Sequence, residues 1–266
     1  MKIAATWHCM LIALLFGGVS VVAGAESAAW RPSVFLVESF VEVALRSNYS
    51  ARQHPVRKWS GPVNYFIVQQ VGDEDLHRTM VSSHFEHLAK ITGLPIRPAS
   101  VQAAANFLVV LTSEDRLEAE LPRYLGTGPA HQSKFSMHQT LCLANFVTDR
   151  KGAIVRAVAM IPADAARAGG QLASCVVEEL THAMGLSNDS LKDFPSIFSR
   201  TSGYSFLSGL DYLMLKMLYD PRVKVGMSER TVLGILHAIA SEYERDRRFE
   251  TAEKIAVESG LSGLNP

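Results

Sequence analysis

A glutamate pair followed by a histidine is the stretch of this sequence best suited to chemistry. The run from Cys175 to Ser190 reads CVVEELTHAMGLSNDS. Residues four positions apart lie on one face of a helix, so Glu178 and His182 should point the same way. Glu179 is rotated from Glu178 by about 100°. Neighbouring carboxylate and imidazole groups can bind a metal ion, and a further carboxylate can act as general base toward a bound water.

Gly185 should end this helix and turn the chain back. Glycine adopts a left-handed conformation at little cost, so the turn could bring Asn188 or Asp189 toward the first two ligands. An asparagine is a poor zinc ligand compared with histidine, whereas a carboxylate can bind zinc. The sequence leaves the choice between Asn188 and Asp189 open. The alternative is an ordinary core helix, ended by the glycine, with an apolar side made of Val176, Val177, Leu180, Ala183 and Met184.

A pair of histidines lies on a helix predicted from Glu74 to Ile91. His84 and His87 are three positions apart and therefore share a helix face, a spacing that can bind metal. No third ligand is evident nearby in the sequence. We therefore expect partly exposed surface histidines rather than a metal site.

The first residues are typical of an export signal. Lys2 supplies a positive start, an apolar run follows from Met10, and Ala23-Gly-Ala25 fits the small-x-small cleavage rule. An uncleaved membrane anchor is the alternative, but the apolar run is short for a bilayer span. We expect cleavage near Ala25, a periplasmic or secreted protein, and no transmembrane segment in the mature chain.

Cleavage would leave two cysteines, Cys142 and Cys175. An isolated pair in an oxidising compartment usually forms a disulfide. Metal ligation is the alternative, since Cys175 lies one turn before Glu178, but Cys142 has no partner at ligand spacing. We predict the disulfide, which would fasten the start of the glutamate helix to the preceding strand.

The charge balance excludes one broad class of partner. The chain has 26 basic and 26 acidic residues, so its formal net charge is zero. The sequence has no basic stripe of the kind that follows a phosphate backbone. We therefore expect no nucleic-acid partner.

The remaining periodicity predicts alternating strands and helices. An N-terminal helix is expected within 33–47, strands at 62–70, 106–111, 140–147 and 153–161, and a helix or loop at 113–125. Ser208 and Asp211 fit a capping box that opens another helix. One or two amphipathic helices should follow in 228–259. We divide the chain into a signal peptide (1–25), an N-terminal helical segment (26–56), a main domain (57–227) and a C-terminal helical tail (228–266).

The spacing of the glutamate helix resembles the metzincin signature H-E-x-x-H-x-x-G-x-x-H. Glu178 stands at the first histidine, Glu179 at the catalytic glutamate, and His182 at the second histidine. Gly185 holds the glycine position and Asn188 that of the third histidine. The resemblance implies an α+β, zincin-like domain over 57–227. It would have a twisted mixed sheet of about four strands, an active-site-type helix and C-terminal helices.

Two later stretches extend the resemblance. Leu207-Ser-Gly-Leu-Asp211, followed by Leu218-Tyr219, is similar to the last helix of matrixin-like peptidases, and Phe198 occupies the position of their Met-turn. The run at 220–227 and the Asn-Asp-Ser after the glycine resemble a bacterial exported group, the domain of unknown function 2927. In that group a Glu-Glu-x-x-Gln/His helix replaces His-Glu-x-x-His, and no activity is established for it.

Two functional hypotheses follow from the resemblance. In the first, Glu178, His182 and Asp189 (or Asn188) bind Zn²⁺, and Glu179 is general base in a hydrolase acting on peptides or cell-envelope material. In the second, the protein is an inactive pseudo-peptidase that binds a peptide or a cell-envelope protein through the old cleft. In a third interpretation, Glu178 and Glu179 are only solvated surface residues. The resemblance to metzincins in two separate segments argues against it.

Overall fold

A mixed sheet of six strands lies at the centre of the described residues. The structure is a computed structural model that describes residues 33–47, 53–125, 141–192, 194–258 and 260–261. The strands are β1 (Lys58–Trp59), β2 (Val63–Gln69), β3 (Ile96–Pro98), β4 (Phe107–Thr112), β5 (Leu143–Thr148) and β6 (Ala153–Pro162). The predicted export signal, residues 1–25, lies outside the described residues.

Most of the sheet is parallel. Its order is β1-β6-β4-β2-β3, and β5 adds an antiparallel strand beside β6, with Phe146 opposite Ala157. The prediction of about four strands is wrong in number. The additional strands, β1 and β3, contain only two and three residues, too few for an alternating pattern to be recognised.

Helices cover the sheet and form the C-terminal part. They are α1 (Ser33–Phe40, extended by a π-helical turn at Val41–Leu45), α2 (Glu74–Thr92), α3 (Glu114–Leu125), α4 (Ala163–Ala168), α5 (Leu172–His182), α6 (Gly209–Leu218), α7 (Glu229–Arg245) and α8 (Arg248–Glu258). A short 3₁₀ turn spans Gln102–Ala104. The N-terminal helix, the helix at 113–125 and the two tail helices agree with the predictions, whereas α4 was not predicted.

The main core lies between one sheet face and helices α1, α2, α5, α6 and α7. Strand β4 is buried along its whole length, as its continuous apolar run predicts. Its alternate residues Leu108 and Val110 face a smaller cluster under α3. Residues of 26–56, 57–227 and 228–266 all contribute to the main core, and the predicted boundaries between these segments stay predictions. Over the described ranges, no helix is both long and apolar enough to cross a bilayer.

The predicted disulfide between Cys142 and Cys175 is present. The two cysteines are buried, 33 positions apart in sequence, with Cα atoms 5.8 Å apart. Cys175 lies on α5 and Cys142 just before β5. The bond therefore fastens the site helix to the antiparallel edge strand.

Replacing both cysteines with alanine should lower the free energy of unfolding by about 3–4 kcal/mol. The estimate follows from the entropy that a cross-link over 33 positions removes from the unfolded chain. Urea unfolding of the oxidised wild type and the Cys142→Ala/Cys175→Ala variant would measure the loss. The reduced wild type is the control and should lose a similar amount. Equal midpoints for oxidised and reduced wild type would contradict the prediction.

Candidate metal site

Helix α5 presents the candidate residues because its other sides are buried. Val176, Val177 and Leu180 belong to the main core. Gly170, with φ +67°, makes the turn that starts the helix, a conformation that glycine adopts without strain. Glu178 and His182 keep partial exposure on the remaining face.

Two side chains from other elements hold the end of α5. Trp59 Nε1 donates to the carbonyl of Ala183 at 2.9 Å, and the Tyr219 hydroxyl donates to the carbonyl of Met184 at 2.9 Å. These bonds satisfy carbonyls that a helix end leaves without partners. Gly185 follows with φ +114°, and the chain turns back toward the helix there.

The three predicted metal ligands converge after this turn. One ligand atom each from Glu178, His182 and Asp189 lie within 4.8 Å of one another. His182 Nε2 is 2.9 Å from Asp189 Oδ1 and 3.8 Å from Glu178 Oε1. All three side chains are partly buried. In the described part of the chain this is the one group of three such residues at ligand spacing.

The second ring nitrogen of His182 fixes the orientation of the ring. His182 Nδ1 donates to the carbonyl oxygen of Leu186 at 2.5 Å. A neutral imidazole with its proton on Nδ1 directs the lone pair of Nε2 toward the two carboxylates. The ring of Phe198 lies 4.8 Å from that of His182 between centroids, so an aromatic side chain covers the histidine.

The surrounding carboxylates control the charge of His182. Burial alone would lower the pKa of His182. The hydrogen bond to Asp189 and the nearby carboxylates of Glu178 and Glu179 outweigh burial and raise this pKa well above its usual value. Without a metal ion, the histidine therefore carries a proton at neutral pH.

Glu179, the predicted general base, lies beside the three convergent residues. Its side chain is buried on α5, and its charge contributes to the raised pKa of His182. A carboxylate in such a place can accept a proton near the site. Its catalytic role stays a prediction.

Asn188, the alternative third ligand, points elsewhere. Its side-chain Nδ2 donates to the carbonyl of Glu42 at 3.0 Å, and its backbone N–H donates to the carbonyl of Val43 at 3.0 Å. Asn188 therefore ties the site loop to the π-helical turn at the end of α1. Of the two alternatives, Asp189 is the residue placed beside His182.

Asp211 holds the next part of the loop in place. Its carboxylate accepts hydrogen bonds from Ser196 Oγ at 2.5 Å, from the N–H of Ile197 at 3.1 Å, and from both the N–H and the hydroxyl of Ser208 at 2.9 Å. The predicted capping box of Ser208 and Asp211 is present. One buried carboxylate thus joins the start of α6 to the turn that carries Phe198.

His84 and His87 are not surface residues, so that expectation is wrong. Each is 1 % exposed. His84 faces α5, against which α2 packs, whereas His87 lies beside Gly260. Thr181 donates its hydroxyl to the carbonyl of Val177 at 2.6 Å, so His84 Nε2, 2.9 Å away, must donate to Thr181. Burial lowers the pKa to about 3 for His84 and about 4 for His87. Both rings are neutral, and His84 supports the back of the site helix.

The sequence did not predict two residues that contribute to the site, Leu186 and Arg57. The carbonyl of Leu186 belongs to the backbone, which residue types do not reveal. Arg57 lies outside the motif by more than 100 positions, yet its Nη2 donates to Ser187 Oγ at 2.7 Å. No sequence pattern connects it to the motif.

The comparisons with known proteins identify a family. A search of curated proteins gave no significant match. The sequence profile of a family described as "Protein of unknown function (DUF2927)" matches residues 33–238, which is well over half of the chain and includes α5, the site loop and α6. This protein therefore belongs to the DUF2927 family, as the stretches at 188–190 and 220–227 predict.

Proposed function

We propose that this protein is an exported metal-dependent hydrolase with a zincin-like site that acts on peptides or cell-envelope protein. Glu178, His182 and Asp189 would hold the cation, and Glu179 would act as general base. The observation that carries the proposal is the convergence of two carboxylates on the Nε2 atom of one histidine.

The donor set suits a divalent cation. With Nδ1 committed to the Leu186 carbonyl, a neutral His182 offers a lone pair at the point that Glu178 and Asp189 face with acceptor oxygens. Three acceptors around one point require a proton or a metal ion between them. One imidazole nitrogen and two carboxylates fall within the ligand types of zinc, and an oxygen-rich set also admits harder cations.

The chain's own residues would supply the remaining chemistry. A bound cation would act as a Lewis acid toward a carbonyl oxygen. Glu179 would hold a proton taken from the attacking water. Phe198 would limit the access of water to His182.

A pseudo-peptidase is the second candidate, and one distance favours it. The 2.9 Å between His182 Nε2 and Asp189 Oδ1 is an ordinary length for a charged hydrogen bond. A protonated His182 satisfies Asp189 and Glu178 without a metal ion. The cleft would then bind a peptide or cell-envelope protein without cleaving it.

Export is part of both candidates. The disulfide supports it, because such bonds persist in oxidising compartments such as the periplasm or the extracellular space.

Metal content distinguishes the two candidates. We expect the form spanning 26–266, purified without chelator or histidine tag, to contain about one equivalent of zinc. His182→Ala should bind zinc at least about 100-fold more weakly, since loss of even an outer-shell residue weakens binding by 10–100-fold. His237→Ala, which removes an exposed histidine on α7, should keep the metal. Affinity in the wild type should fall on acidification, because protons compete for Nε2.

Turnover tests the catalytic half of the proposal. Glu179→Gln should keep the metal and the fold while abolishing cleavage of a peptide library. A wild type that contains no metal, and whose melting temperature does not change when zinc is added, would reject the hydrolase and favour the pseudo-peptidase.

A further inference from the structure

Arg57 contacts three segments around the candidate metal site. Its carbonyl oxygen lies against Gly185, at the turn that ends α5. Its Nη2 donates to Ser187 Oγ at 2.7 Å. Its guanidinium carbon lies 5.1 Å from the ring centroid of Phe146, on the edge strand β5. The side chain therefore lies over the edge strand and reaches the loop that carries Asp189.

The charge of Arg57 is not balanced by any acidic side chain among the described residues. Its hydrogen bond goes to a neutral hydroxyl, and its Nε is buried without an acceptor. Burial lowers the pKa of Arg57 to about 10, with no carboxylate acting in the opposite direction. The guanidinium stays charged at neutral pH. A partly buried cation without a counter-charge is unfavourable, and an anion at this point would relieve that cost.

The position of Arg57 indicates where the anion belongs. Ser187 lies between Leu186, whose carbonyl holds His182, and Asp189, which contacts the same ring. Phe146 faces the main core from β5, the antiparallel edge strand of the sheet. A peptide lying between this edge and the site loop would pass Arg57 close to His182. The guanidinium forms paired hydrogen bonds with the planar carboxylate group.

We propose that Arg57 binds a carboxylate group of the peptide ligand and so selects peptides by a free C-terminus or an acidic side chain. This inference rests on the proposed function to the extent that the ligand is a peptide. It holds for a hydrolase and for a pseudo-peptidase alike, because it concerns recognition rather than cleavage.

Peptide binding tests the inference directly. The probes are tripeptide mixtures without Asp or Glu that end in either a free carboxylate or an amide. Each is labelled at its N-terminus with dansyl, which carries no carboxylate. A third mixture, amidated, carries one fixed Glu and separates the two sources of the carboxylate. Anisotropy titrations of the 26–266 form, with its disulfide intact, should show about tenfold tighter binding of a carboxylate mixture than of the plain amide.

Matched variants separate recognition from a structural role. Arg57→Met keeps the length of the side chain and its contact with Phe146 but removes the charge, so it should bind acid and amide mixtures equally. Arg57→Lys should keep part of the preference. The melting temperature of Arg57→Met should stay close to that of the wild type, because a cation without a counter-charge is removed. A preference unchanged in Arg57→Met would overturn the inference.

The remaining outcomes are also decisive. Equal binding of acid and amide mixtures by the wild type, or no binding of either, overturns the inference. In competition experiments, inorganic phosphate and an acetylated peptide acid would each be used to displace the acid mixture. If phosphate displaced it at the same concentration as the peptide acid, the site would be a general anion site and the carboxylate assignment would be overturned. Metal content is read from the same preparation. Metal without a carboxylate preference rejects only the role of Arg57, and a preference without metal rejects only the hydrolase.

Discussion

Gly185→Ala should destabilise the protein by about 2–5 kcal/mol and weaken metal binding. Gly185 has φ +114°, and an alanine Cβ there would lie 2.2 Å from the carbonyl oxygen of Arg57. Left-handed backbone costs a non-glycine residue about 1–2 kcal/mol, and overpacking against rigid backbone adds about 1–3 kcal/mol. The displaced segment includes Leu186 and Asp189, so the contacts of His182 should change as well.

Gly93→Ala is a matched control for this prediction. Gly93 ends α2 with φ +75°, but nothing lies within 4 Å of the Cβ that alanine would add. It should therefore lose only the backbone cost of about 1–2 kcal/mol. Urea unfolding and zinc titration of both variants would measure the two effects. If Gly185→Ala lost no more stability than Gly93→Ala, the close approach to Arg57 would be unimportant.

The turn at Gly185 also shows how far the sequence predicts the site. Helical spacing is enough to place Glu178 beside His182, since both belong to one element. The glycine predicts that the chain turns, but the direction of the next residues depends on tertiary contacts. The sequence allowed either Asn188 or Asp189 as the third ligand and favoured Asp189, because a carboxylate binds zinc better than an amide. The carbonyls of Glu42 and Val43 decide between them by binding Asn188, and no local pattern reports a contact over this separation.

The errors in the fold have similar causes. Strands β1 and β3 are too short for a periodic signal, yet β1 positions Trp59 on the end of α5. His84 and His87 are polar in type, and composition favours exposure for such residues. Both are buried. His84 faces α5, where the hydroxyl of Thr181 accepts its hydrogen bond, and His87 lies beside Gly260. For both histidines, packing between elements overrides the usual exposure of this residue type.

The two candidate functions differ in what lies between His182 Nε2 and the two carboxylates of Glu178 and Asp189. A proton on His182 Nε2 and a metal ion at the same place satisfy the same carboxylates, so they exclude each other. A site that binds metal must therefore release a proton from a group whose pKa is raised by Asp189 and Glu178. This competition weakens the affinity for metal at neutral pH. A metal requirement should accordingly be tested on the alkaline side as well as at neutral pH.

Asp211→Ala should cost about 3–5 kcal/mol, because it removes the acceptor shared by two segments. The N–H groups of Ile197 and Ser208 would lose a buried partner, as would two serine hydroxyls. A buried donor left without its acceptor costs about 1–3 kcal/mol, so the two backbone N–H groups account for most of this amount. The turn carrying Phe198 would loosen beneath His182, so zinc affinity should fall with stability. Asp211→Asn keeps a carbonyl acceptor, so at acidic pH it should lose less stability than Asp211→Ala.

The pH dependence of stability identifies the charge state of Asp211. Burial raises the pKa of this carboxyl from 3.8 to about 6, against the opposing effect of its hydrogen-bond donors. Because the pKa is raised in the folded state, protonation of Asp211 stabilises the fold, and this stabilisation is fully present below about pH 4. It is lost as the pH rises through about 6, by about 2–3 kcal/mol in total. Asp211→Asn lacks this titration, so it should gain stability relative to the wild type as the pH rises from about 4 to about 6.

Chemical unfolding of both proteins at several pH values would measure that difference. His182 titrates in both proteins, so its contribution cancels in the comparison. Parallel stability curves for the wild type and Asp211→Asn would show that the four donors keep the carboxylate charged throughout. The loop would then be fixed by an ionised acceptor, and the loss in Asp211→Ala should not change with pH. If the curves approach each other between about pH 4 and about pH 6, the loop that carries Phe198 is held most firmly below about pH 4.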